Sequence, residues 1–291
     1  MSTTGFIRGA IGAAAVALAM AGVRGATAEA NLASPWVELA NAHVRLLAGP
    51  ADMRGAGQSY LAGVELLLAD GWKTYWRMPG DAGVPPSFDW AGSRNVASVE
   101  VLYPAPTRMV EPAAVTVGYK GPVIFPVKVV PREADQPVML KLRMEFGICH
   151  DICIPEETTL LLELGPAAMT GAPTASLLAA LERVPRPPAR RRASDPEVKG
   201  LTANLAGPSP GLYVEARFAE GGAGADLFLE AVSAEDVYVP LPTRLADAAD
   251  GTARFAVDLS HGGNPEALRG KVLRLTLVSD AGASDVSWTV R

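Results

Sequence analysis

The chain has 291 residues, of which 49% are hydrophobic and 20% are charged. This length and composition allow two ordinary domains with packed cores and exclude general disorder. The formal net charge of −5 at pH 7 argues against a nucleic-acid partner, because neutralising phosphates requires a basic surface.

The first thirty residues have the pattern of an export signal. Arg8 supplies a short positive start, small apolar residues follow from 10 to 23, and two A-x-A sites end at Ala28 and Ala30. The apolar run is too short for a permanent membrane anchor, and the alternative is a buried N-terminal helix. We predict a signal peptide over residues 1–30 that is cleaved near Ala28 or Ala30. The mature chain is then periplasmic and has no transmembrane segment.

Residues 31–165 have the pattern of short antiparallel strands. From Leu140 to Phe146 apolar and charged residues alternate, which is the period of a half-buried strand. Pro and Gly clusters at residues 78–83 and 84–86 break helices and mark turns. This combination predicts an antiparallel β-sandwich. Its less regular strands are predicted at Trp36–Leu47, Tyr60–Leu68, Val96–Tyr103, Val123–Val130 and Thr158–Leu164.

Residues 166–199 are predicted to connect two domains. The segment from 185 to 192 is rich in Pro and Arg, and we expect it to be a stiff, solvated spacer. The alternative for such a cationic run is contact with a membrane or a nucleic acid. A short amphipathic helix is predicted before it at Thr174–Val184, with an apolar face formed by Leu177, Leu178 and Leu181.

Residues 200–291 return to strand patterns and predict a second β-sandwich. This part contains no cysteine and only one histidine, His261, so we expect a scaffold or docking surface. The predicted fold class is therefore all-β, with two antiparallel sandwiches joined by a helix and a linker. The strands of the second sandwich are predicted at Leu212–Phe218, Asp226–Val232, Val237–Leu241, Ala253–Leu259, Val272–Val278 and Val286–Val290.

The only two cysteines, Cys149 and Cys153, are separated by three residues. In an oxidising compartment such a pair forms a disulfide. A bridge that closes so small a loop contributes little stability, so the spacing favours disulfide exchange over stapling. Strand patterns on both sides, together with Pro155, oppose a helix. We therefore predict that the cysteines lie at the end of a β-hairpin.

The residues between the cysteines leave several interpretations open. A positive group beside a thiol favours the reactive thiolate, but neighbours along a strand face opposite sides. His150 is therefore either a supporting residue or a solvated turn residue, and a nearby Asp151 carboxylate would raise a thiol pKa. One alternative to exchange is a structural bridge in a non-enzymatic binding module. The other is a Cu(I) site made by Cys149, His150 and Cys153.

Zinc would need more ligands than this hairpin offers, and no nicotinamide or flavin motif follows a predicted strand. We therefore expect neither a cofactor nor a metal.

Three groups of residues carry a resemblance to a known family. They are the Trp-rich block from Gly71 to Gly83, the Pro85-Pro86 pair with Phe88-Asp89-Trp90, and the hairpin from Cys149 to Pro155 with its acidic continuation. On these residues, positions 36–165 resemble the N-terminal periplasmic domain of the DsbD/ScsB thiol–disulfide reductases. The layout of two sandwiches is similar to the ScsB branch, which is linked to copper tolerance.

The resemblance implies an immunoglobulin-like fold in which Cys149 and Cys153 are catalytic. They would accept electrons from a membrane-embedded domain and pass them to periplasmic thioredoxin-like oxidoreductases. The resemblance also implies a loop whose aromatic residue shields the disulfide, here placed at 117–121 with Tyr119 as the shielding ring. Family members usually continue into a polytopic membrane domain and a thioredoxin-like domain. This sequence contains neither, so we expect a separate membrane electron donor.

Overall fold

The computed structural model describes residues 1–2, 32–50, 59–112, 114–165, 174–219, 224–232, 238–247, 252–261 and 264–291. The predicted signal peptide, apart from its first two residues, lies outside this described part. Within the described ranges the longer strands form four antiparallel sheets, which pack as two sandwiches around separate cores. This confirms the predicted all-β, immunoglobulin-like architecture. Among the same residues, no helix is long and apolar enough to cross a membrane.

The first sandwich contains the cysteine hairpin. Its strands in chain order are β1 (Val37–Glu38), β2 (Ala42–Pro50), β3 (Tyr60–Leu68), β4 (Lys73–Gly80), β5 (Ser87–Asp89), β6 (Val96–Val101), β7 (Thr107–Val110), β8 (Val115–Lys120), β9 (Val123–Pro131), β10 (Val138–Cys149) and β11 (Cys153–Leu164). One sheet has the order β1-β2-β3-β9-β6. The other has the order β11-β10-β4-β8-β7, with β5 paired to β10.

Strand β10 shows why the predicted alternation produces a sandwich. The four apolar side chains from Leu140 to Phe146 are buried, while Lys141, Arg143 and Glu145 between them are exposed. Alternate residues of a strand face opposite sides, so one face enters the core and the other meets solvent. From Gly147 onward every residue of β10 is buried, because neighbouring elements cover the outer face at this end of the strand.

Several predicted strands have different limits in the structure. The segment Trp36–Leu47 is divided into β1 and β2 by a turn, and the Pro-Gly step at 79–80, predicted to be a turn, instead ends β4. The predicted strand Val237–Leu241 is wrong for its described residues 238–241, which have no strand. Leu241 in this segment instead packs against the core of the first sandwich.

The second sandwich consists of a four-stranded and a three-stranded sheet over the described ranges, ordered β12-β13-β16-β15 and β14-β17-β18. Its strands are β12 (Glu197–Asn204), β13 (Gly211–Arg217), β14 (Asp226–Ala231), β15 (Thr243–Asp247), β16 (Thr252–Asp258), β17 (Val272–Ser279) and β18 (Gly282–Thr289).

A short helix, α1 (Ala175–Glu182), lies against the first sandwich. Its first turn is capped by Thr174, whose hydroxyl accepts a hydrogen bond from the backbone N–H of Leu177. Leu177 is buried, and its Cδ1 atom lies 2.7 Å from the position that a Cβ would occupy at Gly63 of β3. The predicted apolar face is partly wrong, because Leu178 is exposed to solvent.

Arg186 attaches the Pro/Arg-rich linker to the second sandwich, whereas residues 187–190 and 192 are exposed, as expected for a solvated segment. The backbone of Arg186 forms a bridge beside Ser284 of β18, and its guanidinium pairs with Asp195 at 2.9 Å. The Asp195 side chain is buried, so this ion pair satisfies a charge that would otherwise be costly to enclose.

The two sandwiches pack directly against each other. The ring of Trp76 in β4 lies 5.5 Å from the ring of Phe228 in β14, and both side chains are fully buried. The neighbouring Arg77 contacts the carboxylate of Glu230 through Nε at 2.9 Å and through Nη2 at 2.7 Å. A second bidentate pair joins Arg108 of β7 to Asp226. The interface therefore combines an apolar centre with paired charges.

Candidate functional site

The two cysteines form a disulfide at the tip of the hairpin made by β10 and β11. Cys149 and Cys153 are cross-strand partners in the antiparallel register, with a Cα–Cα distance of 4.1 Å and bonded sulfur atoms. Side chains of directly opposed residues point to the same face of the sheet. The predicted disulfide at a hairpin end is therefore present.

The two sulfur-bearing residues differ in their exposure. The Cys149 side chain lies on β10, inside the sheet, where Lys73 of β4 is its second cross-strand neighbour, and only 1% of the residue is exposed. Cys153 lies on β11, which is the edge strand of this sheet, and it is exposed. Cys153 is therefore accessible to solvent, whereas Cys149 is not.

The hydroxyl of Tyr75 contacts both sulfur atoms. It donates a hydrogen bond to Cys149 Sγ at 2.7 Å and lies 3.4 Å from Cys153 Sγ. The pKa of Tyr75 is raised above its usual value, mainly because the residue is buried and to a smaller extent because of the negative charge of Glu111. The hydroxyl therefore stays protonated at neutral pH and remains a donor when Cys149 becomes a thiolate.

Residues 81–86, which we call the cover loop, close over the Tyr75 ring. The carbonyl of Val84 accepts a hydrogen bond of 3.2 Å from the backbone N–H of Gly147. Gly83 has a φ of +125°, and a Cβ at this position would lie only 2.2 Å from Tyr75 Cε1. Glycine is required at this position because the backbone is left-handed and packs directly on the ring.

An ion pair between the buried Lys73 and the partly exposed Glu111 lies beside Tyr75 on the same sheet. Lys73 is 4% exposed, and its Nζ donates to Glu111 at 2.5 Å and to Thr116 at 3.3 Å. The same Nζ lies 5.9 Å from the centre of the Tyr75 ring. A lysine charge can be buried when it is paired and hydrogen-bonded, and this pairing fixes the strand residue opposite Cys149.

His150 lies in the turn between the cysteines. Its Nδ1 is 2.9 Å from a carboxylate oxygen of Asp151, and its ring packs at 6.0 Å against Trp72. Close to it, a Cβ at Gly71 would lie 2.7 Å from His150 Nε2. These contacts favour the interpretation of His150 as a turn residue that packs on residues 71–72.

Tyr119 occupies a different place from the one predicted for the shielding ring. It pairs across the sheet with Thr74, and Thr74 in turn pairs with Ile148. Tyr119 therefore faces the core, on the side opposite Cys149, and its hydroxyl donates to the carbonyl of Pro104 at 2.8 Å. The structure does not bring Tyr119 to the cysteines, and the aromatic residue in that position is Tyr75.

The sequence interpretation did not identify Tyr75. The Pro79-Gly80 step indicates a turn, so the sequence pattern predicts no strand over β4 and assigns no faces to its residues. A usable signal was present, because Lys73, Tyr75 and Arg77 alternate with Thr74 and Trp76. Period-two alternation places Lys73 and Tyr75 on one face, and only the pairing of β4 with β10 shows that this face carries Cys149.

Comparisons with known proteins show what this chain is similar to. Residues 45–164 match the family described as "Thiol:disulfide interchange protein DsbD, N-terminal". The structure resembles the crystal structure of the N-terminal periplasmic domain of ScsB from Proteus mirabilis, with a TM-score of 0.66 and 20% sequence identity. This similarity covers 89% of the present chain and 98% of the ScsB chain. A search of curated proteins finds no match.

The family match runs from within β2 to the end of β11, and therefore includes the disulfide, Tyr75 and the cover loop. Over residues 45–164 the chain is therefore similar to the DsbD N-terminal family of thiol:disulfide interchange domains.

Proposed function

We propose that this chain is a periplasmic thiol–disulfide exchange module that relays electrons through Cys149 and Cys153. The observation that carries the proposal is the asymmetry of the disulfide. Cys153 is exposed on an edge strand, and Cys149 is buried beneath a hydroxyl donor. A structural staple does not need one accessible sulfur, whereas exchange does. The match of residues 45–164 to the interchange family and the periplasmic origin of the similar ScsB domain support the proposal.

Exchange begins when the module is reduced. The Cys153 thiolate attacks a disulfide of the partner, the S–S bond of the partner breaks, and one partner sulfur leaves as a thiolate. Cys149 then attacks Cys153 Sγ in the mixed disulfide and releases the second partner sulfur. The module ends as the Cys149–Cys153 disulfide, and the partner has gained two electrons as a dithiol.

Reloading reverses these steps. A thiolate of the electron donor attacks the exposed Cys153 Sγ, and Cys149 leaves as a thiolate. A leaving thiol with a lower pKa leaves faster, and the hydrogen bond from Tyr75 stabilises the charged form of Cys149. The second thiol of the donor then releases the reduced module. Tyr75 therefore acts on the sulfur that is hidden from partners.

The proposed partners follow from the family. Thioredoxin-like periplasmic oxidoreductases would accept the electrons, and a separate membrane protein would supply them. Ile152, between the cysteines, is an exposed apolar side chain next to Cys153 in the sequence, and a protein partner could cover it.

Trapping of the mixed disulfide tests the proposal. In Cys149→Ser the exposed Cys153 remains and cannot be released by its resolving partner. Incubation with an oxidised thioredoxin-like protein should therefore accumulate a covalent adduct, measured by non-reducing electrophoresis. Cys153→Ser is the matched control and should give much less adduct, because its remaining sulfur is buried.

The absence of an adduct in both variants would contradict exchange. Titration of the native pair against glutathione redox buffers separates the alternatives. A pair that resists reduction across the physiological range would indicate a binding module with a structural bridge. Stoichiometric retention of Cu(I) by the reduced protein would instead indicate a copper-binding protein.

A further inference from the structure

We propose that the second sandwich restricts reaction to one sulfur, because its residues Tyr238 and Leu241 hold the cover loop closed over Tyr75 and Cys149. Only the role of this contact in electron relay rests on the proposed function. The contact made by the second sandwich controls the accessibility of a thiol in the first sandwich, whether or not that thiol exchanges with a partner.

The first contact is a hydrogen bond between the sandwiches. The hydroxyl of Tyr238 donates to Asp81 Oδ1 at 3.2 Å. Asp81 is the first residue of the cover loop, and it is also held by β8. Its backbone N–H donates to the carbonyl of Val115 at 3.0 Å, and its Oδ2 accepts from the Val115 N–H at 3.0 Å. Asp81 therefore joins the loop to both sandwiches.

The second contact is apolar and lies one residue earlier. Leu241 packs against the core of the first sandwich, and its Cδ1 lies 3.3 Å from the position that a Cβ would take at Gly80. Gly80 ends β4 and has a φ of +86°, so the chain turns sharply into the cover loop at this point. The segment 238–241 thus supports the start of the loop by a hydrogen bond and by packing.

The cover loop connects segment 238–241 to the buried sulfur of Cys149 through Tyr75. Two residues after Asp81, Gly83 packs on the Tyr75 ring, and the next residue, Val84, hydrogen-bonds to Gly147. Tyr75 in turn contacts Cys149 Sγ. A continuous series of contacts therefore runs from Tyr238 to Cys149.

This arrangement has a consequence for selectivity. Cys153 is exposed while the loop is closed, so its reactivity does not depend on loop opening. Cys149 is reachable only when the loop and Tyr75 move away together. Stabilising the closed loop makes attack at Cys153 the favoured reaction, and it keeps Cys149 for resolving the mixed disulfide.

Thiol alkylation in single-cysteine variants tests the inference. In a Cys153→Ser background, Tyr238→Phe removes the hydrogen bond but keeps the ring. The limiting rate at high pH for alkylation of Cys149 by iodoacetamide should rise about twofold to tenfold, because local opening then breaks one hydrogen bond fewer. Leu241→Ala should change this rate in the same direction. Tyr213→Phe, at an exposed tyrosine of β13, is the control and should leave it unchanged.

A second background separates loop opening from general loosening. In Cys149→Ser, the substitution Tyr238→Phe should leave the alkylation rate of Cys153 unchanged. An unchanged rate at Cys149, or an equal increase at both cysteines, would overturn the inference. Because alkylation needs no partner, failure of the trapping experiment would contradict the relay without affecting this result.

Discussion

The hydroxyl of Tyr75 is the side-chain group that offsets the effect of burial on the Cys149 thiol. Cys149 is buried beside Lys73 and Tyr75, and burial alone raises the pKa of a thiol because it disfavours the thiolate. A short hydrogen bond from a neutral donor has the opposite effect, since it stabilises the charged form. The 2.7 Å contact of Tyr75 with Cys149 Sγ therefore offsets part of the cost of making a thiolate in this position.

Substitution Tyr75→Phe should raise the pKa of the Cys149 thiol. Hydrogen bonds to charged groups contribute about 1.5–3 kcal/mol, so we expect an increase of about one to two pKa units. The measurement is the ultraviolet absorbance of the thiolate against pH in a Cys153→Ser background. Tyr119→Phe is the matched control, because the Tyr119 hydroxyl bonds to Pro104. An equal shift in both variants would contradict the assigned role of Tyr75.

At the scale of elements, strand β4 organises the site because it lies between β10 and β8. Its outer face carries Lys73 and Tyr75 toward Cys149. Gly118 of β8 lies opposite Tyr75, where a Cβ would be 2.0 Å from the carbonyl oxygen of Thr74 and 2.8 Å from Tyr75 Cα. A strand cannot approach so closely with a side chain at this point, so the glycine fixes the position of β4.

Substitution Gly118→Ala should displace β4 and destabilise the protein by about 1–3 kcal/mol, the usual cost of overpacking. Gly200→Ala is the matched control, since it lies in strand β12 with no atom within 4 Å of its Cβ position. The measurement is the free energy of unfolding in urea. A smaller effect at Gly118 than at Gly200 would show that β8 can move away at little cost.

At the scale of the molecule, the two sandwiches share a buried interface. Phe228 belongs to the second sandwich but is part of the apolar core of the first. Arg77 lies 4.0 Å over the Trp76 ring and reaches both Glu230 and Thr276. Interfaces between domains that are mainly polar allow relative movement. This interface has an apolar centre and bidentate ion pairs, so we expect the two sandwiches to move little relative to each other. The contact between segment 238–241 and the cover loop is then maintained.

Substitution Phe228→Ala should lower the free energy of unfolding by about 3–5 kcal/mol, because it leaves a cavity at a fully buried position. It should also increase the alkylation rate of Cys149 in a Cys153→Ser background, since the second sandwich then supports the cover loop less firmly. Tyr213→Ala, at an exposed position, should change stability by about 0.5 kcal/mol or less. A similar loss of stability in both variants would argue against a packed interface.

Features with a local cause were predictable from the amino-acid order. Alternation from Leu140 to Phe146 indicated a half-buried strand, and two cysteines separated by three residues between strand patterns indicated a disulfide at a hairpin end. Both inferences depend on side-chain direction along one strand or across one turn, which a short stretch of residues specifies.

Features that depend on strand pairing were not predictable in this way. Three examples are the exposure of Cys153 rather than Cys149, the contact of Tyr75 with the sulfurs, and the packing of Leu241 against the first sandwich. Each follows from which strands are neighbours and from which strand is at the edge, and these are contacts between residues far apart in the chain. Sequence periodicity specifies the faces of a strand, but only the folded sheets determine what each face meets.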